Sequence, residues 1–333
     1  MSKPLKISVD LGENYNDPIR FVECAQFADR YDFDTVWFGD HFLPWFHGGN
    51  RSSFVWAVMS VALDRTKKIN VGPDVTSPIG GRFQPAVVAQ ASATVDNMYP
   101  GRFLLGVGSG EAINEARFFP SGWPSWNERI ERLNESIELM RKMWESRDYF
   151  DFNGKYFHAK DLYLYTRPKA RIPIYYSALG PKAAYFAGVY GDHLVTIGTP
   201  ERCADVIFPA FEFGLRKAGK DPKECEKMVL LDVYYGSREE ALKKMRETGE
   251  AGPADMKSFG VLDPRKISEI GHEVSDDKLL SLKTICSEPD DLIKAIEAYV
   301  EKGATHITIA TNSFTENIQL VGEKVLPYFQ HNK

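Results

Sequence analysis

Short apolar runs alternate along this chain with longer amphipathic ones. Residues 5–11, 35–39, 69–76, 103–108, 172–177, 193–197, 228–235 and 306–311 are brief, and several are rich in Val, Ile, Tyr and Phe. That pattern predicts strands. Between them, residues 18–31, 54–63, 85–98, 126–146, 182–190, 200–218 and 289–302 carry apolar positions at helical spacing. Thr199 places a capping hydroxyl before Pro200, and Ser287 stands ready to cap a helix beginning Glu288-Pro289-Asp290; both are helix-start signals.

Eight strands alternating with helices predict a parallel sheet, and the count of eight favours closure. The expected fold is therefore α/β, a single (β/α)8 TIM barrel over residues 1–333, with insertions near 147–171 and 236–281. An open doubly wound sheet is the competitor. It announces itself with G-x-G-x-x-G after the first strand, whereas here Gly12-Glu13-Asn14-Tyr15-Asn16 follows. The first insertion reads as a β-hairpin, 149–152 then 156–158 across Asn153-Gly154. The second is polar, punctuated by Gly and Pro, and expected near the mouth of the site. No solenoid repeat or low-complexity stretch interrupts the pattern.

The chain has 333 residues, is 43% hydrophobic and carries a formal charge of −5. Such a charge argues against a nucleic-acid surface, and the basic residues interleave with acids, as in Glu128-Arg129-Ile130-Glu131-Arg132. Cys24, Cys203, Cys225 and Cys286 are far apart and form no C-x-x-C pair, so buried free thiols are expected rather than zinc or a redox dithiol. No metal site is expected, since no histidine falls at ligand spacing. The start carries no signal-like or membrane-spanning apolar stretch. The expectation is a soluble cytoplasmic protein with neither nucleic-acid nor membrane partner.

In such a barrel the chemistry gathers at the carboxyl ends of the strands. The second strand ends in Gly39-Asp40-His41, followed by Phe42-Leu43-Pro44-Trp45; the third in Asp74-Val75-Thr76-Ser77-Pro78; the fourth in Gly108-Ser109-Gly110-Glu111, with Asn114 a turn later; the fifth in Ser177-Ala178-Leu179-Gly180-Pro181. His41 is a candidate acid or base near neutral pH, or a packed, hydrogen-bonded strand-end histidine. Asp40, next to it on a strand, points to the opposite face. Trp45 is either core or a donor lining a pocket. Glu111 and Asn114 share a helical face, while the bland reading of the same run is a glycine turn with an acid at a helix N-terminus. Gly180-Pro181 opens a helix, whose first turn suits phosphate. No G-x-S-x-G elbow appears.

The stretches D-H-F-L-P-W at 40–45, Y-P-G-R-F-L-L-G-V-G-S-G-E-A-I-N-E at 99–115 and Y-G-D-H-L-V-T at 190–196 resemble the luciferase-like flavin and deazaflavin superfamily. Within it they resemble the branch that uses coenzyme F420, an 8-hydroxy-5-deazaflavin. L-Y-T-R-P at 164–168, G-P-K-A at 180–183 and K-A-G-K-D-P-K at 217–223 are most similar to the secondary alcohol dehydrogenases of methanogenic archaea, with glucose-6-phosphate dehydrogenases as the sister group. The resemblance implies hydride transfer from a small alcohol to F420, and a homodimer. It implies that His41 takes the hydroxyl proton, that Trp45 hydrogen-bonds the substrate oxygen, and that Glu111 attends a ring nitrogen. Asp40, Ser109, Gly110 and Asn114 match coenzyme contacts. Ser77 ends the same strand as Asp74-Val75, whose bond matches a non-prolyl cis peptide behind the ring. Leu179, Gly180, Lys182 and Ala183 fall where the family holds the phosphate and tail.

Departures shape the substrate expectation. The sugar-phosphate branch grips phosphate with a lysine that matches Pro200 and an arginine that falls at Leu282, beside Lys283. Losing such cations weakens dianion binding and favours a neutral substrate, unless Lys257 or Lys283 builds another phosphate site. The Gly80-Gly81 loop carries one extra residue relative to the family. An FMN monooxygenase of the same fold and a flavin-binding protein without turnover are the remaining alternatives.

Overall fold

The structure is a computed structural model, and it describes residues 4–12, 17–49, 51–249, 260–311 and 314–331. Lys257, one of the two lysines considered for a phosphate site, lies outside the described residues.

The chain opens with β1 (Lys6–Leu11), α1 (Pro18–Arg30), β2 (Thr35–Phe38), α2 (Val55–Arg65), β3 (Asn70–Pro73), α3 (Pro85–Met98) and β4 (Leu105–Val107). The short α4 (Ala112–Glu115) and the long α5 (Trp126–Glu145) follow, then β5 (Phe150–Asn153), β6 (His158–Leu162), β7 (Ile174–Ser177), α6 (Pro181–Tyr190) and β8 (His193–Thr196). The rest is α7 (Pro200–Arg202), α8 (Phe208–Lys217), β9 (Lys227–Tyr235), α9 (Arg238–Thr248), α10 (Pro264–Glu273), α11 (Asp276–Leu280), β10 (Thr284–Cys286), α12 (Pro289–Glu301), β11 (His306–Thr311), α13 (Phe314–Lys324) and α14 (Leu326–His331).

Eight parallel strands run in the order β3-β2-β1-β11-β9-β8-β7-β4. The bridges Val71–Phe103 and Thr76–Val107 bring β3 and β4 together, so the sheet curls into the expected barrel. Alternation along each strand sorts the side chains. Val36, Phe38, Ile174, Tyr176, Leu194 and Val229 join the large core between strands and helices. The residues between them, Trp37, Tyr175, Val195 and Met228, form a second cluster with Leu104 that plugs the barrel interior, and the Trp37 and Tyr175 rings meet edge-on at 4.9 Å. The plug closes the lower part of the barrel and leaves the upper rim for chemistry. Among the described residues no helix is long and apolar enough to cross a membrane, and all four cysteines are buried thiols outside any disulfide.

Sequence and structure differ at the insertions. The hairpin exists, but its second strand begins at His158 rather than 156, because the Gly154 N–H bonds the Phe157 carbonyl and puts Lys155-Tyr156 at the turn. The described residues of 236–281 hold three α-helices. The first is marked by a capping box, Ser237 with Glu240, and the second by Asp263 capping Pro264 at the first helical position. Ser287 does not cap α12; Glu288 takes that place, and the Asp291 carboxylate receives the backbone N–H of both Ser287 and Glu288. Thr199 does cap α7, accepting from the Arg202 N–H at 3.3 Å. The helical run 200–218 is interrupted by a π-type turn over Cys203–Ile207. The strand β10, which pairs with the far end of β9, is too short to show a period.

Below the plug, polar groups tie five strands together. Glu226 receives hydrogen bonds from Tyr175 Oη at 2.8 Å and His306 Nδ1 at 3.0 Å, and pairs with Lys6 at 2.8 Å. His306 Nε2 meets Ser8 Oγ at 2.6 Å, and the Glu226 N–H donates to His193 Nδ1 at 3.0 Å. Although burial opposes ionisation, these hydrogen bonds and cations hold the Glu226 carboxyl far below the usual range. Its ionised form therefore stabilises the fold above the unfolded-state value of about 4.3, and that contribution is lost as pH falls. Glu226→Ala is expected to destabilise the protein by about 3–5 kcal/mol at pH 7, because it strands buried partners. Urea unfolding measures this, and a change below about 1 kcal/mol would show that the cluster is dispensable.

Candidate active site

At the upper rim the strand ends surround one cavity of about 1130 Å³. The candidate catalytic and coenzyme-contact residues named from the sequence all line it: His41, Trp45 and Glu111, and with them Asp40, Asp74, Val75, Ser77, Ser109, Gly110, Asn114, Leu179, Gly180, Lys182 and Ala183. The barrel explains this gathering, since residues far apart in the chain end adjacent parallel strands at one level. The Asp74–Val75 peptide is cis.

Asn114, on the first turn of α4, organises the floor. Its Oδ1 accepts the backbone N–H groups of Phe42 at 2.9 Å and Leu43 at 3.2 Å. That fixes which way the amide faces. Its NH2 group reaches His41 Nδ1 at 3.0 Å and Glu111 Oε2 at 3.1 Å. An amide NH2 only donates, so Nδ1 of His41 accepts, and the neutral imidazole carries its proton on Nε2. Nε2 lies 3.8 Å from Glu111 Oε2, and the Trp45 ring stands beside the imidazole with centroids 5.9 Å apart. The two readings of His41 meet here: it is hydrogen-bonded, and it also faces a cavity.

Asp40, like His41, lies beyond the end of β2, and its partners are on β3's carboxyl-terminal side rather than His41. It accepts from Thr76 Oγ1 at 2.5 Å and forms a buried ion pair with Arg82. Thr76 in turn receives the Trp56 indole N–H at 3.2 Å. Lys182 reaches over the Trp126 ring to Asn127 Oδ1, 2.8 Å away. On the opposite wall Lys283 pairs with both oxygens of Asp232, at 2.9 and 3.1 Å.

Sequence reasoning missed several lining groups. Asp10 also lines the cavity; it is the last inward position of β1, visible in the alternation Ser8-Val9-Asp10. Lys244, Met245 and Ile267 also line it, from the helices of the second insertion. Glu115 lies one turn beyond Glu111, at the i+4 spacing that puts both acids on one face. Its carboxylate takes the Glu111 N–H at 2.8 Å, yet burial pushes its pKa up to about 8.

The cavity fits a planar, hydrogen-bonding coenzyme. Ser77 Oγ is buried with no hydrogen-bond partner among the described residues, which leaves a polar atom for a ligand. Gly110 has φ of +76°, and a Cβ there would meet Ser77 Oγ at 2.7 Å, so the backbone runs bare along the wall. Gly180 caps α6 with no atom within 4 Å of where its Cβ would stand, exposing the helix N-terminus, a ready anion site. Among the described residues no cluster suited to a metal occurs.

Residues 4–306 match the family model of the luciferase-like monooxygenases. An F420-dependent glucose-6-phosphate dehydrogenase of Rhodococcus erythropolis is 35% identical over 92% of both chains, and one of Mycolicibacterium gilvum is 34% identical over 91% of both. Among solved structures, an F420-dependent secondary alcohol dehydrogenase in complex with an F420-acetone adduct superposes with a TM-score of 0.90. It is 35% identical, over 97% of this chain and 98% of that one. The F420-dependent tetrahydromethanopterin reductase of Methanopyrus kandleri shares the fold at a TM-score of 0.74 and 20% identity, over 98% of this chain and 99% of that one.

Glu115 supplies a prediction. The folded state keeps its proton up to about pH 8, whereas the unfolded chain releases it near 4.3, so wild-type stability falls as pH rises between these values. In the coenzyme-free protein, Glu115→Gln should gain on wild type from pH 5 to 8 by on the order of 2–4 kcal/mol and then level off. Parallel stability curves across that range would contradict it.

Proposed function

The chain belongs to the luciferase-like monooxygenase family, and on that premise we propose that it oxidises a small, uncharged secondary alcohol to a ketone with coenzyme F420. Its coenzyme is this 8-hydroxy-5-deazaflavin, and the reaction class is F420-dependent dehydrogenation of CH–OH groups. When bound, the coenzyme accepts hydride at its ring. The protein's own groups do the rest. Asn114 holds His41 and Glu111 in fixed relation. His41 Nε2–H and the Trp45 indole N–H are donors for a substrate oxygen. Glu111 is placed to manage a proton near the coenzyme ring. Ser77, Ser109 and Gly110 form the wall along the ring; Gly180, Lys182 and Ala183, with Leu179, offer the helix N-terminus and a cation to a phosphate. Asp40 braces this wall through Thr76 and Arg82.

The observation that carries the alcohol reading is the Lys283–Asp232 pair. A cation already matched by a carboxylate has little to offer a phosphate dianion, whose own charge would face Asp232. Pro200, the first residue of α7, brings no charge of its own, and the cation of that helix is Arg202. The second reading, a sugar 6-phosphate as substrate, is favoured by the sequence relatives at 31–35% identity.

Steady-state reduction of F420 distinguishes them. The kcat/KM for 2-propanol should exceed that for glucose 6-phosphate by about tenfold or more, equivalent to roughly 1.4 kcal/mol, and Lys283→Ala should leave the alcohol value within a few-fold. A preference for glucose 6-phosphate, with a KM raised by Lys283→Ala, would establish the second reading.

A further inference from the structure

The loop after β2 carries His41 and Trp45, and hydrogen bonds tie it down along its length. Asn114 Oδ1 accepts the Phe42 and Leu43 N–H groups, and Ser52 Oγ donates to the His41 carbonyl at 2.6 Å. At the far end of the loop the tie comes from the second insertion. There the His47 N–H donates to Ser268 Oγ, on α10, at 3.0 Å. Trp45 lies between the anchor at Asn114 and the anchor at Ser268, so α10 bears on where its indole stands.

One face of α10 turns inward. Pro264, Ile267, Ser268 and Gly271 follow the i, i+3, i+4, i+7 spacing of a helical stripe, and Ile267 and Gly271 are its buried members. Ile267 forms a small apolar cluster with Ile113 of α4, apart from the main core, and Leu43, Trp45 and Val261 pack against that pair. Polar contacts fix α10 in turn. Arg117, just beyond α4, donates to the Ile113 carbonyl at 2.9 Å and to the Leu262 carbonyl, joining the approach to α10 to α4. At the other end Arg246 of α9 donates to the Gly271, His272 and Val274 carbonyls at 3.3, 3.0 and 2.5 Å, and pairs with Asp276 of α11. A helix leaves such carbonyls without intrahelical partners at its C-terminus, where a cation is also favoured.

We propose that Ile267 is a positioning residue that acts through Trp45: α10 sets the angle at which the indole N–H meets the substrate oxygen. This rests on the dehydrogenase reading above, in which that N–H donates to the alcohol. Ile267 steadies the ring by packing, and Ser268, its neighbour on the same stripe, holds the end of the loop. A hydrogen bond weakens steeply as its angle closes, and an indole that loses packing partners loses the many small contacts that keep it from tilting. A misplacement of about 1 Å in a reacting group costs on the order of 10²-fold in rate. The second insertion therefore contributes to turnover without touching the reacting atoms.

A double-mutant cycle and an indole spectrum test this. Ile267→Ala should lower kcat/KM for 2-propanol by about tenfold or more, with F420 affinity by fluorescence within about threefold. In a Trp45→Phe background, which keeps a ring but removes the N–H, the same truncation should cost less than about twofold, because the group it aims is gone. Ile267→Leu, which conserves volume, should recover most of the rate. In the coenzyme-free protein, NMR of the indole N–H groups, with Trp45→Phe to identify the signal, should show Ile267→Ala moving the Trp45 resonance more than any other. Ile267→Val removes a single methylene and should move it in the same direction by less, so the test does not depend on the larger truncation. A Trp45 resonance unmoved by these substitutions, or an equal loss of rate with and without the indole N–H, overturns the assignment. A wild-type enzyme that reduces F420 with no alcohol instead overturns the dehydrogenase reading, and the indole spectra still decide whether α10 positions Trp45.

Discussion

One amide organises the active floor. Asn114 Oδ1 is held by two backbone N–H groups of the loop after β2, and its NH2 reaches both His41 and Glu111. The loop that carries His41 and Trp45 is thereby tied to the helix that carries Glu111. Because the amide cannot turn without losing both backbone bonds, the imidazole tautomer is determined as well as its place. The proton on Nε2 follows from that single orientation.

The barrel makes this possible by dividing its labour along its axis. At the lower end, Trp37, Tyr175 and their neighbours fill the interior, and the Glu226–His306–Lys6 cluster ties the strands below them. Rigid packing there leaves the upper strand ends free to carry groups that do not stabilise one another well. Glu115 is buried and Asp74 half-buried, and both carboxyls have raised pKa values, an arrangement that costs stability and is typical of sites rather than cores.

Much of this was legible in the sequence because the barrel rule converts strand ends into a shared location. All eight barrel strands appear in the structure within two residues at each end, except the carboxyl end of 69–76, where β3 stops three residues earlier. The motif residues His41, Trp45, Glu111 and Asn114 meet where that rule puts them. What escaped was local or relational. The hairpin turn is displaced from Asn153-Gly154 to Lys155-Tyr156, since the Gly154 N–H bonds the Phe157 carbonyl. The helices of 236–281 are short and polar, so their caps, not their periodicity, mark them. Asp74 stands out in the sequence by its strand-end position and its peptide bond, whereas the raised pKa of its carboxyl comes from burial and from Glu111, which spacing does not record. The tautomer of His41 depends on which way an amide faces, which spacing does not record.

The same floor bears on substrate choice. The wall across from it presents Lys283 already matched by Asp232, so the chemistry of the hydroxyl is provided for more plainly than recognition of a remote charge. The most direct test of the whole account is isotope transfer. With 2-propanol deuterated at carbon two and the protein as catalyst, mass spectrometry of the reduced F420 should show one deuterium per molecule, and acetone should appear in equal amount. Reduced F420 without deuterium, or no reduction at all, would contradict a hydride passing from an alcohol held on this floor.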